Sequence, residues 1–238
     1  MPVSNTVNKK TTTVQKETKA VVLLSGGLDS TTVLFHAMGK GYRCHCLIFD
    51  YGQRHRKELQ KAKAIARGAG VPFDVVRITM PWKGSALLDR RIKVPQGRAV
   101  VADEIPATYV PARNIIFLSF AASCAEAAGA RTVFIGANAL DYSGYPDCRP
   151  EFFKAYQMVL KKGLKASLDG KTIRIAAPLL HKTKAQIIRL GRRLNVPYEL
   201  TWSCYKGGRR PCGQCDSCLL RAKGFQEAGH ADPLLKNR

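Results

Sequence analysis

The stretch Ser25-Gly26-Gly27-Leu28-Asp29-Ser30 follows an apolar run at 20–24 and precedes an apolar-periodic segment at 31–38. This order predicts a buried strand, a tight turn and the start of a helix. Two adjacent glycines let backbone N–H groups converge without obstruction by a Cβ atom, and the N-terminus of the helix adds partial positive charge. The stretch, here called the glycine turn, therefore predicts an anion-binding site, and the expected anion is phosphate.

The polar residues of the glycine turn favour a nucleotide accompanied by a metal ion. The hydroxyls of Ser25 and Ser30 can donate to phosphate oxygens, whereas the carboxylate of Asp29 is better suited to bind Mg²⁺ or to cap the helix. The spacing differs from the Walker loop and from the dinucleotide-binding fingerprint. It resembles the PP-loop of ATPases that cleave ATP between the α and β phosphates. A tight turn without a ligand is the alternative interpretation.

Length and composition predict one domain, or one domain with a small appendage, within 238 residues. No apolar run approaches the roughly 20 residues of a membrane helix. The N-terminus also lacks the apolar core of a signal peptide, so we expect a cytoplasmic protein with no membrane span. Residues 1–19 are rich in Thr, Asn and Lys without apolar periodicity, which predicts a disordered basic extension.

The formal net charge of +22 favours a polyanionic partner such as tRNA, or strongly anionic substrates. However, the basic residues are scattered over predicted helix faces, such as those at 54–63 and 189–193, and they are not interleaved with aromatic residues. Solvated helix surfaces have the same composition. The charge alone therefore does not identify a nucleic-acid-binding protein.

Downstream of the glycine turn, β-rich and amphipathic helical patterns alternate. We predict strands at 43–49, 73–79, 132–135 and 172–175, and helices at 55–69, 113–128 and 151–166. This alternation predicts an α/β fold with a doubly wound parallel sheet, whose ligands bind at the carboxyl ends of the strands. Two connections are longer than a compact fold requires, loop A at 80–112 and loop B at 137–150. We expect substrate recognition in these loops.

Four of the eight cysteines follow the pattern C-x7-C-x2-C-x2-C, at Cys204, Cys212, Cys215 and Cys218. Such spacing brings thiolates to one point, and in a reducing compartment it favours a tetrahedral Zn²⁺ closed by four sulfurs. An iron–sulfur cluster is the alternative that spacing leaves open. We predict one structural Zn²⁺ per chain, which orders a small C-terminal zinc module at 199–238. The nucleotide-binding domain is then predicted at 20–198.

The remaining cysteines and one histidine carry weaker signals. Cys44 and Cys46 share one face of a predicted strand, and they are expected, like Cys124 in an apolar helix, to be small buried side chains. Cys148 lies in loop B with no neighbour that marks an activated thiolate. His55 at a helix start is as compatible with capping or solvation as with catalysis, so we assign no general base.

Five motifs in this order resemble the 7-cyano-7-deazaguanine synthase family, a PP-loop ATPase family of queuosine precursor biosynthesis. Besides the glycine turn and the four cysteines, they are Phe49-Asp50-Tyr51-Gly52-Gln53-Arg54-His55, Val110-Pro111-Ala112-Arg113-Asn114 and Asp141-Tyr142-Ser143-Gly144-Tyr145-Pro146-Asp147-Cys148-Arg149. The resemblance extends from Ala20 to about Gly229. The N-terminal extension and the high charge depart from the family's pattern but touch none of its motifs.

The resemblance implies an ATP-dependent ligase that converts 7-carboxy-7-deazaguanine and ammonia to the nitrile. The substrate carboxylate would attack the α-phosphorus of ATP, with Mg²⁺ and the glycine turn stabilising the departing pyrophosphate. Ammonia would then displace AMP to give the amide, and a second adenylation, of the amide oxygen, would lead to the nitrile. The resemblance also implies a cytoplasmic homodimer that acts on small molecules and requires no nucleic acid.

The same resemblance implies particular site residues. The nucleotide-binding stretch would comprise Leu24, Ser25, Gly26, Gly27, Leu28, Asp29, Ser30, Thr31, Thr32, Val33 and Leu34. Catalytic contacts to phosphate, metal or carboxylate would come from Ser25, Asp29, Ser30 and Arg113, although a structural ion pair explains Arg113 nearly as well. The deazaguanine base would be bound by Asp141, Tyr142, Tyr145 and Asp147, with packing of loop B as the alternative. Lys182 and Lys184 could meet phosphate or lie on a helix surface, and they receive no role.

Other classes of protein are compatible with parts of the sequence. A tRNA-modifying PP-loop enzyme would use the positive charge, but sulfur transfer needs a reactive cysteine pair near the glycine turn. GMP and NAD synthetases share the glycine turn, but we do not expect them to carry the cysteine cluster or the loop B motif. A non-enzymatic zinc ribbon that binds nucleic acid would need basic and aromatic residues around the ribbon, namely Trp202, Tyr205, Arg209 and Arg210.

Overall fold

The computed structural model describes residues 18–54, 56–97, 105–138 and 144–235. Residues 1–17 of the extension predicted at 1–19, and His55, therefore lie outside the described residues, whereas Thr18 and Lys19 belong to a strand. The strands are β1 (Thr18–Leu23), β2 (Tyr42–Asp50), β3 (Phe73–Arg77), β4 (Thr132–Phe134) and β5 (Arg174–Ala176). They form one five-stranded sheet in the order β3-β2-β1-β4-β5. Each neighbouring pair is parallel, as the sequence predicted.

The helices alternate with the strands along the chain. They are α1 (Leu28–Gly39), α2 (Lys57–Gly68), α3 (Arg113–Ala128), α4 (Pro150–Gly163), α5 (Lys165–Leu168), α6 (Lys184–Arg193) and α7 (Asp216–Ala228). Most predicted boundaries differ from the structure by one or two residues. Strand β1 begins at Thr18, which pairs with Tyr42, so the first two strand residues precede the predicted start at Ala20. The helix predicted at 151–166 is broken at Leu164, whose extended backbone separates α4 from α5.

Alternate residues of the central strand pack against opposite layers of helices. Ala20 and Val22 contribute to a core that contains the apolar faces of α1, α2, α6 and α7. Val21 and Leu23 contribute to a second core, formed with α3 and α4. Because both faces of β1 are covered, the strand is a continuous apolar run rather than an alternating one. The sheet is therefore doubly wound.

The site lies where the strand order reverses. Chain segments leave β1 and β4, which are neighbours, toward helices on opposite faces of the sheet, and this opens a crevice at the carboxyl ends of the strands. Gly136, just after β4, approaches the glycine turn closely. A Cβ atom at this position would lie 2.9 Å from the backbone nitrogen of Ser30. The connections after β1 and β4 are thus in direct contact.

The cysteine segment, residues 199–235, packs on loop A and forms a third, smaller core. Trp202 and three of the four spaced cysteines are buried there, together with Ala86 and Val94 of loop A. The backbone of Gly97 donates to the carbonyl of Gln214, and Gln96 forms an isolated antiparallel bridge with Cys215. Within the described ranges, no helix is long and apolar enough to cross a membrane.

Gly191 in α6 offers a test of this packing. A Cβ atom there would overlap the hydroxyl of Tyr198, which is buried and also lies 2.9 Å from the hydroxyl of Thr32 in α1. We expect Gly191→Ala to lower the free energy of unfolding by about 1–3 kcal/mol, despite the better helix propensity of alanine. Urea unfolding followed by circular dichroism measures the change.

Gly68→Ala, at the end of α2, is the matched control, because a Cβ atom at this position would extend into open space, with no neighbouring element within 4 Å. Its stability should equal or slightly exceed that of the parent protein. Equal stability of the two variants would contradict the packing of Tyr198 against α6.

Candidate active site

The glycine turn is held from one side by helix α2. Gly26 has a positive φ of 84°, and a Cβ atom there would lie 2.6 Å from the backbone nitrogen of Ala62 and overlap the carbonyl oxygen of Glu58. Only glycine satisfies both the conformation and the close approach. The first two turns of α2 therefore set the position of the glycine turn.

The hydroxyl groups of the turn form a small hydrogen-bonded network. The hydroxyls of Ser25 and Ser30 lie 2.9 Å apart, and the backbone N–H of Gly27 donates to Ser25 Oγ over 3.3 Å. Thr31 Oγ1 donates to the carbonyl of Gly27. Gly27 precedes α1 and has no side chain to cap it, so the N-terminus of the helix faces the crevice without a side-chain cap.

Only the first half of the predicted nucleotide-binding stretch lines the cavity in the crevice. The residues of this stretch that line it are Leu24, Ser25, Gly27, Leu28, Asp29 and Ser30. By contrast, Val33 and Leu34 are fully buried in the core beneath α1. Residues 31–34 are fully buried and anchor the helix in the core.

Asp29 binds a lysine that the sequence left without a role. Lys184 Nζ lies 2.8 and 2.9 Å from the two carboxylate oxygens of Asp29, and the lysine is only 8% exposed. Lys184 is the first residue of α6, which begins with a capping box between Thr183 and Gln186. The alternative that Lys184 is a helix-surface residue is therefore wrong.

Arg113, the first residue of α3, lies in the same cavity as the glycine turn. Burial raises the pKa of the Tyr51 hydroxyl, which stays protonated, and the nearby charge of Arg113 opposes this shift. Glu58 of α2 also lines the cavity. Burial raises the pKa of the Glu58 carboxyl to about 7; the charge of Arg113 opposes this shift and the Cys204 thiol adds to it.

Two further arginines line the cavity but are engaged in structural contacts. Arg54 donates to the carbonyl oxygens of Ala86, Arg90 and Ile92, and so holds loop A. Arg221 of α7 is paired with Asp232 at 2.7 Å and also donates to Thr201. Of the four described cations that line the cavity, Lys184 and Arg113 are therefore the better placed to meet an anionic ligand.

The described part of loop B packs against the start of α3. Asp147 Oδ2 accepts a hydrogen bond of 2.9 Å from the backbone of Asn114, so this carboxylate caps the helix from a distant part of the chain. Asp147 does not line the cavity, whereas Tyr145 does, with its hydroxyl 2.8 Å from Thr108 Oγ1. Asp141 and Tyr142 lie outside the described residues.

The thiols outside the cysteine segment are not activated. Cys148 lines the cavity, but burial raises its pKa to about 11, and its sulfur accepts a hydrogen bond from the Asn114 side chain. Cys44 and Cys46 are buried in the sheet, as predicted, and Cys124 is half-buried. Among the described residues outside the cysteine segment, no pair of activated cysteines lies at the glycine turn.

The four spaced cysteines converge. Their sulfur atoms all lie within 4.8 Å of one another, and those of Cys212 and Cys218 are 3.9 Å apart. A tetrahedral zinc ion with Zn–S bonds of about 2.3 Å requires sulfurs about 3.8 Å apart, so the cluster fits such an ion with a small contraction. Backbone N–H groups of Gln214 and Cys215 point at the sulfur of Cys212, as expected around thiolate ligands.

The cysteine segment also holds the glycine turn, through a backbone contact to Gly26. The backbone N–H of Trp202 donates to the carbonyl of Gly26 over 2.9 Å, and its indole N–H donates to the carbonyl of Cys204. Lys57 of α2 donates to the carbonyls of Gly208 and Arg209. Its Nζ atom lies 4.0 Å from the centroid of the Trp202 ring, in a cation–π contact. Trp202 is 2% exposed, so it is not available to stack on a nucleic-acid base.

Comparison with known proteins identifies relatives over most of the chain. The sequence profile of the family described as "Queuosine biosynthesis protein QueC" matches residues 19–229. The chain is 55% identical over 217 residues to a 7-cyano-7-deazaguanine synthase of Thermoplasma volcanium, covering 91% of this chain and 90% of the relative. A protein of the same name from Thermosynechococcus vestitus is 56% identical over 220 residues, with coverage of 91% and 94%.

The geometry of the cysteine cluster predicts that Cys215→Ser loses bound metal and stability. Cys215 is fully buried, so no water-exposed side chain can replace it as a ligand. Mass spectrometry of the metal content should give one zinc ion per chain for the parent protein and much less for the variant, and thermal unfolding of the variant should begin at a lower temperature. Cys124→Ser, in α3, should retain the metal. Full metal content in Cys215→Ser would contradict the four-thiolate site.

Proposed function

The chain belongs to the family of the queuosine biosynthesis protein QueC, and we propose that it is an ATP-dependent ligase that converts 7-carboxy-7-deazaguanine and ammonia to 7-cyano-7-deazaguanine. The observation that carries the proposal is the cavity in which an anion-binding turn, the Asp29–Lys184 pair and Arg113 converge. A polyphosphate and a substrate carboxylate are both anions, and this cavity offers each of them a cation. Family membership supplies the identity of the deazaguanine ring that carries the carboxylate.

Conversion of a carboxylate to a nitrile removes both oxygen atoms, and each must first become a good leaving group. Attack of the substrate carboxylate on the α-phosphorus of ATP forms an acyl adenylate and releases pyrophosphate. Ammonia displaces AMP to give the amide. Attack of the amide oxygen on a second ATP, followed by loss of AMP, gives the nitrile. One cavity therefore performs the same activation twice, which suits a site with a single anion-binding turn.

We propose that the β and γ phosphates lie on the glycine turn. The backbone N–H groups at the start of α1 and the hydroxyls of Ser25 and Ser30 would donate to them. Asp29 would hold Mg²⁺, which neutralises charge on the departing pyrophosphate. Lys184 would then exchange its contact with Asp29 for one with a phosphate oxygen. The pairing of the two side chains keeps each charge compensated while the nucleotide is absent.

We assign the substrate carboxylate and the deazaguanine ring to the part of the cavity formed by Arg113 and loop B. Arg113 lines the cavity and would bind the carboxylate through its planar guanidinium. Tyr145 would contact the base from loop B, together with Asp141 and Tyr142. Asp147 would act indirectly, because its carboxylate holds the N-terminus of the helix that carries Arg113.

Further features of the proposal concern the metal and the assembly. One structural Zn²⁺ per chain is supported by the four convergent thiols. A homodimer is supported by exposed apolar side chains on the neighbouring helices α3 and α4, namely Ile115, Phe120, Met158 and Val159. Free buried thiols and a thiolate metal site suit the reducing cytoplasm. Nothing in the proposed reaction requires nucleic acid.

The reaction itself is tested with purified zinc-loaded protein, ATP, Mg²⁺, ammonium and 7-carboxy-7-deazaguanine. We expect mass spectrometry to detect the nitrile, and chromatography to show two AMP for each nitrile formed. Omission of ammonium should stop product formation. Release of ADP and phosphate would contradict the double adenylation. AMP formation that depends on added tRNA, with the base unchanged, would contradict the proposed substrate.

Lys184→Met tests the assignment of the lysine to phosphate. A hydrogen bond to a charged group contributes about 1.5–3 kcal/mol, so the variant should bind ATP at least about tenfold more weakly in titration calorimetry. Lys223→Met, at an exposed position of α7, is the control and should bind ATP as the parent does. Unchanged ATP affinity in Lys184→Met would assign the lysine a purely structural role.

A further inference from the structure

The proposed reaction places a particular demand on proton transfer, and this inference rests on that reaction. When ammonia attacks the acyl adenylate, a C–N bond forms, the bond to AMP breaks and the nitrogen must lose one proton to become an amide. When the adenylated amide becomes a nitrile, the same nitrogen must lose two protons as the C–O bond to AMP breaks. The first adenylation needs no proton acceptor, because the carboxylate is already ionised, and in the second the neutral amide attacks through its oxygen and keeps both protons on nitrogen. A base beside the nitrogen is thus required only after adenylation.

Few groups in the cavity can accept such a proton. Of the described residues that line it, the side chains with ionisable acidic groups are Asp29, Tyr51, Glu58, Tyr145, Cys148 and Tyr205. Tyrosine hydroxyls are protonated near neutral pH, as is the buried thiol of Cys148. Asp29 is paired through both oxygens with Lys184 while the nucleotide is absent, and it is assigned to Mg²⁺ once the nucleotide is bound. This leaves the carboxylate of Glu58.

The position of Glu58 suits this task. It is the second residue of α2, whose backbone packs directly on Gly26, and it lines the same cavity as the glycine turn. Across the cavity it interacts with Arg113, the residue assigned to the substrate carboxylate. When the nitrogen of ammonia bonds to the carboxyl carbon, it would therefore lie between Arg113, which holds the substrate, and the carboxylate of Glu58.

We propose that Glu58 is the catalytic base that takes the protons from nitrogen in both stages of nitrile formation. In its ionised form it would also attract the ammonium ion and remove the first proton from it. Each proton then passes to solvent through the open side of the cavity before the next transfer. Other charged groups that face this region are Asp29, Lys184, Arg54 and Cys204. Lys57 is turned away toward the carbonyls of Gly208 and Arg209.

Glu58→Gln tests the proposal through partial reactions. The substitution keeps the size of the side chain, and the packing on Gly26 involves only the backbone of residue 58. Adenylation is measured as substrate-dependent exchange of labelled pyrophosphate into ATP without ammonium. We expect this exchange to persist in the variant. Formation of the amide from acid and ammonium, and of the nitrile from synthetic amide, should each fall by about 100-fold or more.

Two controls complete the experiment. Glu58→Asp keeps the carboxylate on a shorter side chain and should recover part of both nitrogen-dependent reactions. Glu227→Gln, at an exposed position of α7, should match the parent in every assay. Nitrile formation at the parental rate in Glu58→Gln would overturn the proposal. Loss of pyrophosphate exchange together with nitrile formation would also overturn it, because Glu58 would then act in binding or adenylation. Absence of nitrile with the parent protein would refute the proposed function instead.

Discussion

The contact between the backbone of α2 and the glycine turn is the constraint on which the site depends. Gly26 touches the helix so closely that a single extra carbon would collide with it, and the carbonyl of the same residue accepts a hydrogen bond from the backbone of Trp202. The turn is therefore fixed between two elements that are distant in sequence. Because its backbone cannot relax, its N–H groups are oriented before any ligand arrives, which lowers the cost of binding.

The distribution of charge in the cavity separates structural from functional groups. Arg54 donates hydrogen bonds to loop A, and Arg221 donates to Asp232. Both arginines therefore stabilise the walls of the cavity. Lys184 and Asp29 compensate each other at the turn itself. In a partly buried site, removing one member of such a pair costs several times more than the pair contributes as a whole. Asp29 and Lys184 therefore contribute both to the stability of the fold and to the proposed binding of the ligand.

The fold was predictable because its signals are local, whereas much of the site depends on tertiary packing. Apolar runs and their periodicity predicted the parallel sheet, and four cysteines at metal spacing predicted the cluster. Lys184 could be named from the sequence but received no role, because its burial depends on how α6 packs against α1. A signal was nevertheless present: Thr183 and Gln186 form a capping box, and a lysine in the first turn opposes the helix dipole unless an anion compensates it. Glu58 gave no such signal, because an acidic residue in a first helical turn is ordinary. The capping role of Asp147 joins two loops that sequence patterns do not relate.

The position of Lys57 constrains how the domain could be recombined with its relatives. Its ammonium group binds two carbonyls of the cysteine segment and the face of Trp202, while the next residue of the same helical turn enters the cavity. A chimaera that exchanges only the C-terminal segment would therefore separate partners that lie about 150 residues apart in the chain. We therefore expect that an active chimaera of two family members takes the first turn of α2 and the cysteine segment from the same parent.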